Sequence, residues 1–385
     1  MISGKSYVYV FVVCGAAEHM NSLHIALAAL KQRTRLPVWV VTDESRNEIP
    51  IRHDHIIQVN TPSLFTHHQA GIYLKTGLHR FLPKGNLYCY LDSDVLAIGK
   101  NPDQIFSHFV SPVLFAKDHY PIFFFSPYAL NCGCFEDFQT DCRRYNEEIE
   151  PQRVNITKEI DRRMKALRSN PLRLAYVFFN NLFDRSYFTL DREYRYDRKN
   201  KSWVLPGGIL LEDKYGFNSM IKNRGYFKEF ESCRHLLPAG MKGFFNICTH
   251  LHKQILDKFG IEVKDPSWQQ WNGGVFLFSD EAHSFMESWH QKCLTIFDDK
   301  NWKTRDQGAL IATTWEFHLE NHDTLDERFN FIVDYHNPNL RVIQFLGLFS
   351  RLPRRWVRPE FVHVFYHLGN KSWPIWRYIE KRIRR

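Results

Sequence analysis

Two carboxylates separated by a single residue, Asp92 and Asp94, close an apolar and aromatic run in "NLYCYLDSDVLAIG", residues 86–99. Gly85 precedes the run, and Leu87 to Leu91 has the pattern of a strand buried in a parallel or mixed sheet. If the extended chain continues, side chains two apart leave on the same side, so both carboxylates face one place. Two like charges held together where water is scarce repel, and one tends to stay protonated unless a cation relieves the conflict. Hard divalent ions such as magnesium or manganese accept carboxylate oxygens and keep positions open for phosphate oxygens. The other reading is an ordinary turn, in which Asp and Ser bond to their own backbone. The buried run before the pair and the apolar Val95-Leu96-Ala97-Ile98 after it set the two readings level.

The elements that position this pair follow from periodicity. Tyr7 to Val13 reads as a strand and Gly15 as the turn after it. From Asn21, apolar residues at Leu23, Ala26, Leu27 and Leu30 have helical spacing, with Asn21 or Ser22 as the cap. Leu36 to Asp43 is a second strand, and a strand–helix–strand order this early predicts a parallel sheet with a right-handed crossover. A short strand near Ile56, a helix from His67 ended by Pro83-Lys84-Gly85, a short helix at "NPDQIFSHF" and a strand at "PVLFAKD" complete the first 118 residues. Ligands of such sheets bind outside the carboxyl ends of the strands. Between Tyr120 and about Asp265 the pattern changes. "KEIDRRMKALRSN" reads as a charged helix, "LAYVFFNNLFDRSYF" as an aromatic one and "REYRYDRKNKSWVL" as a hairpin. Regularity returns at "WQQWNGGVFLFS", where Asn272-Gly273-Gly274 turns into the strand Val275–Phe278. Two helices follow, at "EAHSFMESWHQKCLTIF" and "TRDQGALIATTWEFH", then late strands at "RVIQFL" and "FVHVFYHLG". In the last, His363, Phe365 and His367 share a face.

The chain has 385 residues, 44% hydrophobic and 24% charged, which suits two or three domain-sized units, or one large domain with an insertion, and excludes wholesale disorder. Aromatic residues reach 15%, with 32 Phe and 10 Trp, as in ring-lined clefts or a dense core. The net charge is +9. Residues 351–385 hold ten Lys/Arg against two Glu, interleaved with Trp, Ile and Tyr. Such a tail reads either as a peripheral contact with an anionic membrane surface or as a solvated final helix. No nucleic-acid partner is expected, because no helix-turn-helix, zinc-finger or RNA-binding signature accompanies the charge. No apolar stretch is long enough for a transmembrane helix, and "YVYVFVVCG" is better read as a first strand than as a signal peptide. The eight cysteines are irregularly spaced, as reduced thiols in a cytoplasmic protein are. In such a compartment the sequons at Asn155 and Asn370 carry no glycan. Cys132, Cys134 and Cys142 cluster near His119, but with no C-x-x-C pair zinc is not expected there.

Several ordered pieces resemble the retaining glycosyltransferases of family 8, the glycogenin and lipopolysaccharide galactosyltransferase type. They are "FVVCG" with the helix ending "ALKQRT" and the strand "PVWVVTD", Lys75 in the helix before the acidic strand, "YLDSDVLAIGKNPDQIF", "WNGGVFLF", "RDQGAL" and "HLGNKSW". They cover roughly residues 7–118 and 268–373. The resemblance implies a GT-A fold, a Rossmann-like mixed sheet with flanking helices. It divides the chain into a nucleotide-sugar-binding half (1–118), a large and mostly helical insertion (119–267), an acceptor and catalytic half (268–350), and a closing motif with the basic tail (351–385). It also implies a UDP-sugar donor, a glycan or glycolipid acceptor, and manganese or magnesium held by Asp92, Asp94 and His367. The final motif is two residues shorter than in the family and has Ser372 in place of a proline, so His363, on the same strand face, is the alternative ligand. Gly15, Lys75, Asp92, Asn272, Gly273, Gly274 and Lys371 are implied in donor binding. Gln307 matches the residue nearest the reacting carbon, and Asp306 the one that binds sugar hydroxyls. The expected site of action is the cytoplasm, peripheral to the inner face of a membrane. A non-catalytic nucleotide-sugar or glycan-binding protein on the same fold is the second reading.

Overall fold

A computed structural model describes residues 5–118, 121–134, 150–182, 184, 186–191, 193–198, 202–204, 210–212, 248–265, 268–333 and 359–364. In chain order the elements are β1 (Ser6–Val12), α1 (Ala17–Lys31), β2 (Val38–Thr42), β3 (Ile56–Gln58), α2 (His67–Thr76), α3 (Leu78–Phe81), β4 (Asn86–Leu91), β5 (Val95–Ala97), β6 (Val113–Lys117) and α4 (Ile122–Leu130). Next come α5 (Glu150–Arg168), α6 (Pro171–Asn181), β7 (Tyr187–Thr189), β8 (Arg195–Asp197), β9 (Ser202–Val204) and β10 (Leu210–Glu212). The remainder are α7 (His250–Phe259), β11 (Trp271–Phe278), α8 (His283–Ile296), α9 (Arg305–Glu316), β12 (Phe331–Val333) and β13 (Phe361–Val364).

The chain divides into two compact units, one built from the segments before 131 and after 248, the other from 131–248. The first is the expected mixed α/β fold. Its six-stranded sheet runs β3-β2-β1-β4-β11-β6. The first four strands are mutually parallel, and β11 is antiparallel to both β4 and β6. That polarity brings the carboxyl ends of β1, β2, β3, β4 and β6 and the start of β11 to one edge. Alternation along β1 shows why the sheet is covered on both sides. Tyr9, Phe11 and Val13 enter one apolar cluster with α1, whereas Val8, Val10 and Val12 enter another with α2, α8 and α9. Every residue of β11 is buried, and each large apolar side chain so removed from water contributes about 1.5–3 kcal/mol.

The helix expected from Asn21 begins earlier, at Ala17, with Ala16 at the N-cap and no side-chain cap. Met20, fully buried, extends the stripe of Leu23, Leu27 and Leu30 by one turn, so burial rather than capping sets its start. In α2, Thr66 and Gln69 form a reciprocal capping box. The helix read from His67 breaks at Gly77, after which α3 turns off.

The second unit combines the two expected helices, α5 and α6, with an antiparallel sheet of order β10-β9-β8-β7. β8 and β9 form the hairpin read at "REYRYDRKNKSWVL". Arg163 on α5 ties this unit together through Asp191 at 2.8 Å and Glu193 at 2.6 Å. Among the described residues no helix is long and apolar enough to cross a membrane. The strand expected at "RVIQFL", the basic tail, His119, Cys142, Asn370, His367 and Lys371 lie outside the described residues.

Candidate active site

The acidic pair sits at the carboxyl end of β4, but not on a continuing strand. The backbone N–H of Asp92 donates to Gly274 O at 2.9 Å, and the N–H of Val95 returns to Asp92 O at 3.0 Å. Asp92-Ser93-Asp94 is therefore a turn that passes the chain from the six-stranded sheet into β5 of a second sheet, ordered β12-β13-β5. The expectation of an extended pair is corrected on this point. Convergence of the carboxylates is achieved by the turn instead.

The register of the second sheet supplies the third group. β13 runs antiparallel to β5 and sets His363 opposite Val95, the residue after the pair. His363 Nε2 lies 3.2 Å from Asp94 Oδ1 and 3.8 Å from Asp92 Oδ2. One donor atom each from Asp92, Asp94 and His363 falls within 4.8 Å of the others. Donors about 2.1 Å from a shared octahedral ion are separated by roughly 3.0 Å when adjacent and 4.2 Å when opposite. Both separations fall in that span, and two carboxylates with an imidazole suit manganese or magnesium. The donor set therefore fits the implied ion. The imidazole is buried, with 1% side-chain exposure, whereas Asp92 keeps 28% and Asp94 15%. The histidine thus forms the floor of the site and the carboxylates open outward.

Charge within the site is shared rather than cancelled pair by pair. Lys75 on α2 reaches Asp306 Oδ2 at 3.1 Å and Asp92 Oδ1 at 3.6 Å, and its ammonium lies over the rings of Tyr90 and Trp289. Burial, opposed by Lys75 and reinforced by Asp94, lifts the Asp92 carboxyl above its usual range. At Asp306 burial also acts upward, but Lys75 outweighs it and holds the group below that range. For His363 burial works against the charged form, and Asp94 and Asp92 overcome it. Tyr90 donates its hydroxyl to Asp92 Oδ1, fixing that carboxylate's orientation.

Close approach requires a glycine at 274 and leaves little room at 273. A Cβ on Gly274 would stand 2.2 Å from His363 Cε1, and one on Gly273 would stand 3.2 Å from Lys75 Nζ. Pairing of β11 with β6 slips between Asn272 and Phe276, and this bulge carries both glycines. Asn272 is implied in donor binding by the family resemblance, yet its side chain is 5% exposed and bonded inward. It donates to Asp118 Oδ2 at 2.8 Å and accepts from Gly274 N at 2.9 Å and Asn330 Nδ2 at 3.0 Å. Its observed role is to hold the bulge. Gln307, at the third position of α9, donates to Trp271 O at 2.5 Å and Gln270 Oε1 at 3.2 Å. Both amide hydrogens are engaged, which leaves the carbonyl oxygen as the group available to a ligand. Gly15 has φ +101°, a backbone that disfavours any other residue, and its N–H donates to Asn47 Oδ1 at 3.2 Å.

Of the residues singled out in the sequence, Lys75, Asp92, Asp94, Gly273, Gly274, Asp306 and His363 are drawn together. Three others at or near this edge were not anticipated. His68 lies two turns before Lys75 on α2, and its imidazole is kept neutral by burial and by Arg305; the seven-residue spacing is a signal that could have found it. Tyr90 is two residues before Asp92. Asp43, at the end of β2, accepts from Ser45 and Thr61, through both backbone N–H and hydroxyl of each. Those bonds outweigh its burial and lower its carboxyl to about 2, so it is an ionised and rigid acceptor at the same sheet edge.

No family model matches the chain, and no curated protein matches it. Solved structures do. The apo bifunctional glycosyltransferase WbbM superimposes with a TM-score of 0.42 at 9% identity, over 99% of this chain and 52% of that one. The apo-form glycosyltransferase GlyE of Streptococcus pneumoniae TIGR4 gives 0.41 at 11%, over 98% and 60%. The galactosyltransferase LgtC, in complex with donor and acceptor sugar analogs, gives 0.42 at 9%, over 98% and 95%. The chain thus spans between half and two thirds of the length of the first two.

Proposed function

We propose that the chain is a glycosyltransferase that moves a hexose from a nucleoside diphosphate sugar, with UDP as the nucleotide, to a glycan or glycolipid acceptor, with retention of anomeric configuration. The observation that carries this reading is the convergence of Asp92, Asp94 and His363 within 4.8 Å at the carboxyl edge of the sheet. That arrangement places two partly buried carboxylates beside each other. Manganese or magnesium held by Asp92, Asp94 and His363 would relieve their repulsion and could take diphosphate oxygens.

When bound, the ion supplies electrostatic stabilisation to the charge that grows on the leaving diphosphate. The chain's own groups do the rest. Lys75 is a fixed cation between Asp92 and Asp306, placed to balance negative charge that arrives beside them. Asp306 stays ionised beside it and accepts hydrogen bonds from sugar hydroxyls. Gln307 presents its carbonyl oxygen, because Trp271 and Gln270 take both amide hydrogens. An oxygen acceptor of that kind orients a hydroxyl or faces an electron-poor carbon without forming a bond to it. Gly274 lets His363 pack against the backbone where a Cβ would collide with its ring, and Gly273 leaves Lys75 its place.

The test is turnover of a panel of UDP-sugars, with and without acceptor, measured as UDP release. Manganese-dependent release that is abolished by EDTA and by Asp94→Asn supports the proposal. Release unaffected by EDTA, or UDP binding with no turnover of any donor, contradicts it; the latter outcome is that of a binding protein on this fold.

A further inference from the structure

A second cluster of metal-ligating side chains lies in the unit formed by residues 131–248, and its chemistry is of the opposite kind. Just after the end of α4 the chain reads Asn131-Cys132-Gly133-Cys134. Asn131 has φ 51° and Gly133 has φ 80°. Two left-handed residues in three coil the segment tightly, and Gly133 supplies that conformation without a side-chain penalty. Cys248, 116 residues beyond Cys132, returns to the same place. The Sγ atoms of Cys132 and Cys248 are 3.7 Å apart, and the three sulfurs lie within 4.8 Å of one another. No disulfide joins the described cysteines.

A separation of 3.7 Å suits a thiol hydrogen bond or two ligands of one ion, and not a disulfide. A covalent bridge needs sulfurs about 2.05 Å apart. Two thiolates each about 2.3 Å from one tetrahedral zinc stand roughly 3.8 Å apart, which is the spacing seen. Three thiolates within this distance are a ligand set of the sort cysteine-rich structural zinc sites use. Thiolates are soft donors and exclude the hard ions suited to Asp92 and Asp94. The sequence argument against zinc rested on the absence of a C-x-x-C pair. It did not include Cys248, which is remote in sequence and is brought beside the pair only by the fold.

We propose that Cys132, Cys134 and Cys248 bind one structural zinc ion that clasps the two ends of the 131–248 unit. Binding deprotonates the thiols and forms zinc–sulfur bonds with no change of oxidation state, the protons passing to solvent. The ion joins the start of the unit to its end, so it closes a loop of more than a hundred residues, where such a cross-link restricts the unfolded chain most.

The full chain, purified under reducing conditions and without chelators, is analysed for metal by mass spectrometry, and its zinc is exchanged for cobalt. The expected result is one zinc per chain, retained in Asp94→Asn and lost from Cys132→Ser/Cys248→Ser. The cobalt form is expected to show the intense visible bands of tetrahedral thiolate coordination. Should the double variant fail to fold, the wild-type zinc content and cobalt spectrum still decide the matter. Wild-type protein that holds no zinc when supplied with it, zinc lost in Asp94→Asn and kept in the cysteine variant, an octahedral cobalt spectrum, or a Cys132–Cys248 disulfide recovered under reducing conditions each overturns the proposal. Its outcome is independent of the glycosyltransferase reading.

Discussion

Gly274→Ala adds one methyl group and probes the whole metal site. The glycine does not occupy the left-handed region, so the backbone tolerates alanine and any effect comes from space alone. The new Cβ would lie 2.2 Å from His363 Cε1, 2.6 Å from His363 Nδ1 and 2.9 Å from Asn272 Oδ1. Comfortable carbon–carbon contact is about 3.5–4.0 Å, so the ring must retreat by more than about 1 Å. His363 is 1% exposed, and the retreat is resisted by packing. Overpacking of this kind costs about 1–3 kcal/mol of stability. The functional effect is larger in proportion. A 1 Å displacement of the imidazole takes Nε2 out of its 3.2 Å approach to Asp94, and misplacement on that scale lowers turnover by about 100-fold. The assay is manganese-dependent UDP-sugar turnover beside a manganese titration by calorimetry, with thermal melts to confirm a folded protein. The change is expected to be absent in a His363→Ala background, where the methyl group has room, giving a large coupling term in the double-mutant cycle. A folded Gly274→Ala protein with wild-type manganese affinity and rate would refute the reasoning, as would full additivity with His363→Ala.

Three other outcomes are expected. Lys75→Met removes the cation that holds the Asp306 carboxyl low; burial then dominates, that carboxyl rises, and the acid limb of the pH–rate profile moves to higher pH, whereas an unmoved limb would show that Asp306 ionisation is irrelevant to turnover. His290 is buried, its Nδ1 is 2.8 Å from a Thr76 hydroxyl that donates to Ile72 O, and its Nε2 has no protein partner, so burial holds the imidazole neutral and lowers its value to about 4. The unfolded chain binds that proton more readily, so the stability contributed by the neutral ring is complete above about pH 6.5 and lost as pH falls toward 4, with a slope of at most about 1.4 kcal/mol per pH unit; urea melts of His290→Leu are expected to lack that slope. Tyr90→Phe deletes the hydroxyl bonded to Asp92 and is expected to weaken manganese binding several-fold with little loss of stability, a result that calorimetry beside melting would separate from general damage.

The part of the site legible in the sequence was the part carried by local pattern. A short apolar run into Asp-Ser-Asp fixed β4 and its terminal carboxylates, and the spacing in "HHQAGIYLKT" put Lys75 on a helix. What stayed hidden depends on pairings between distant segments. Choosing His363 required the register of β13 against β5, which no local spacing encodes. The acidic pair became a turn rather than a strand end because Gly274, about 180 residues further on, takes the Asp92 N–H. Asn272 looked like a ligand-facing residue, yet the bulge in β11 turns it inward to Asp118 and Asn330. The start of α1 was misplaced because Asn and Ser suggested a cap where an earlier turn buries Met20.

The most direct measurement is anomalous diffraction from a crystal grown with manganese and UDP. A single manganese peak bounded by Asp92, Asp94 and Nε2 of His363, with the diphosphate oxygens completing its shell, is the expected result. A manganese peak away from that triad, or UDP bound elsewhere with the three side chains unchanged and metal-free, would contradict the account.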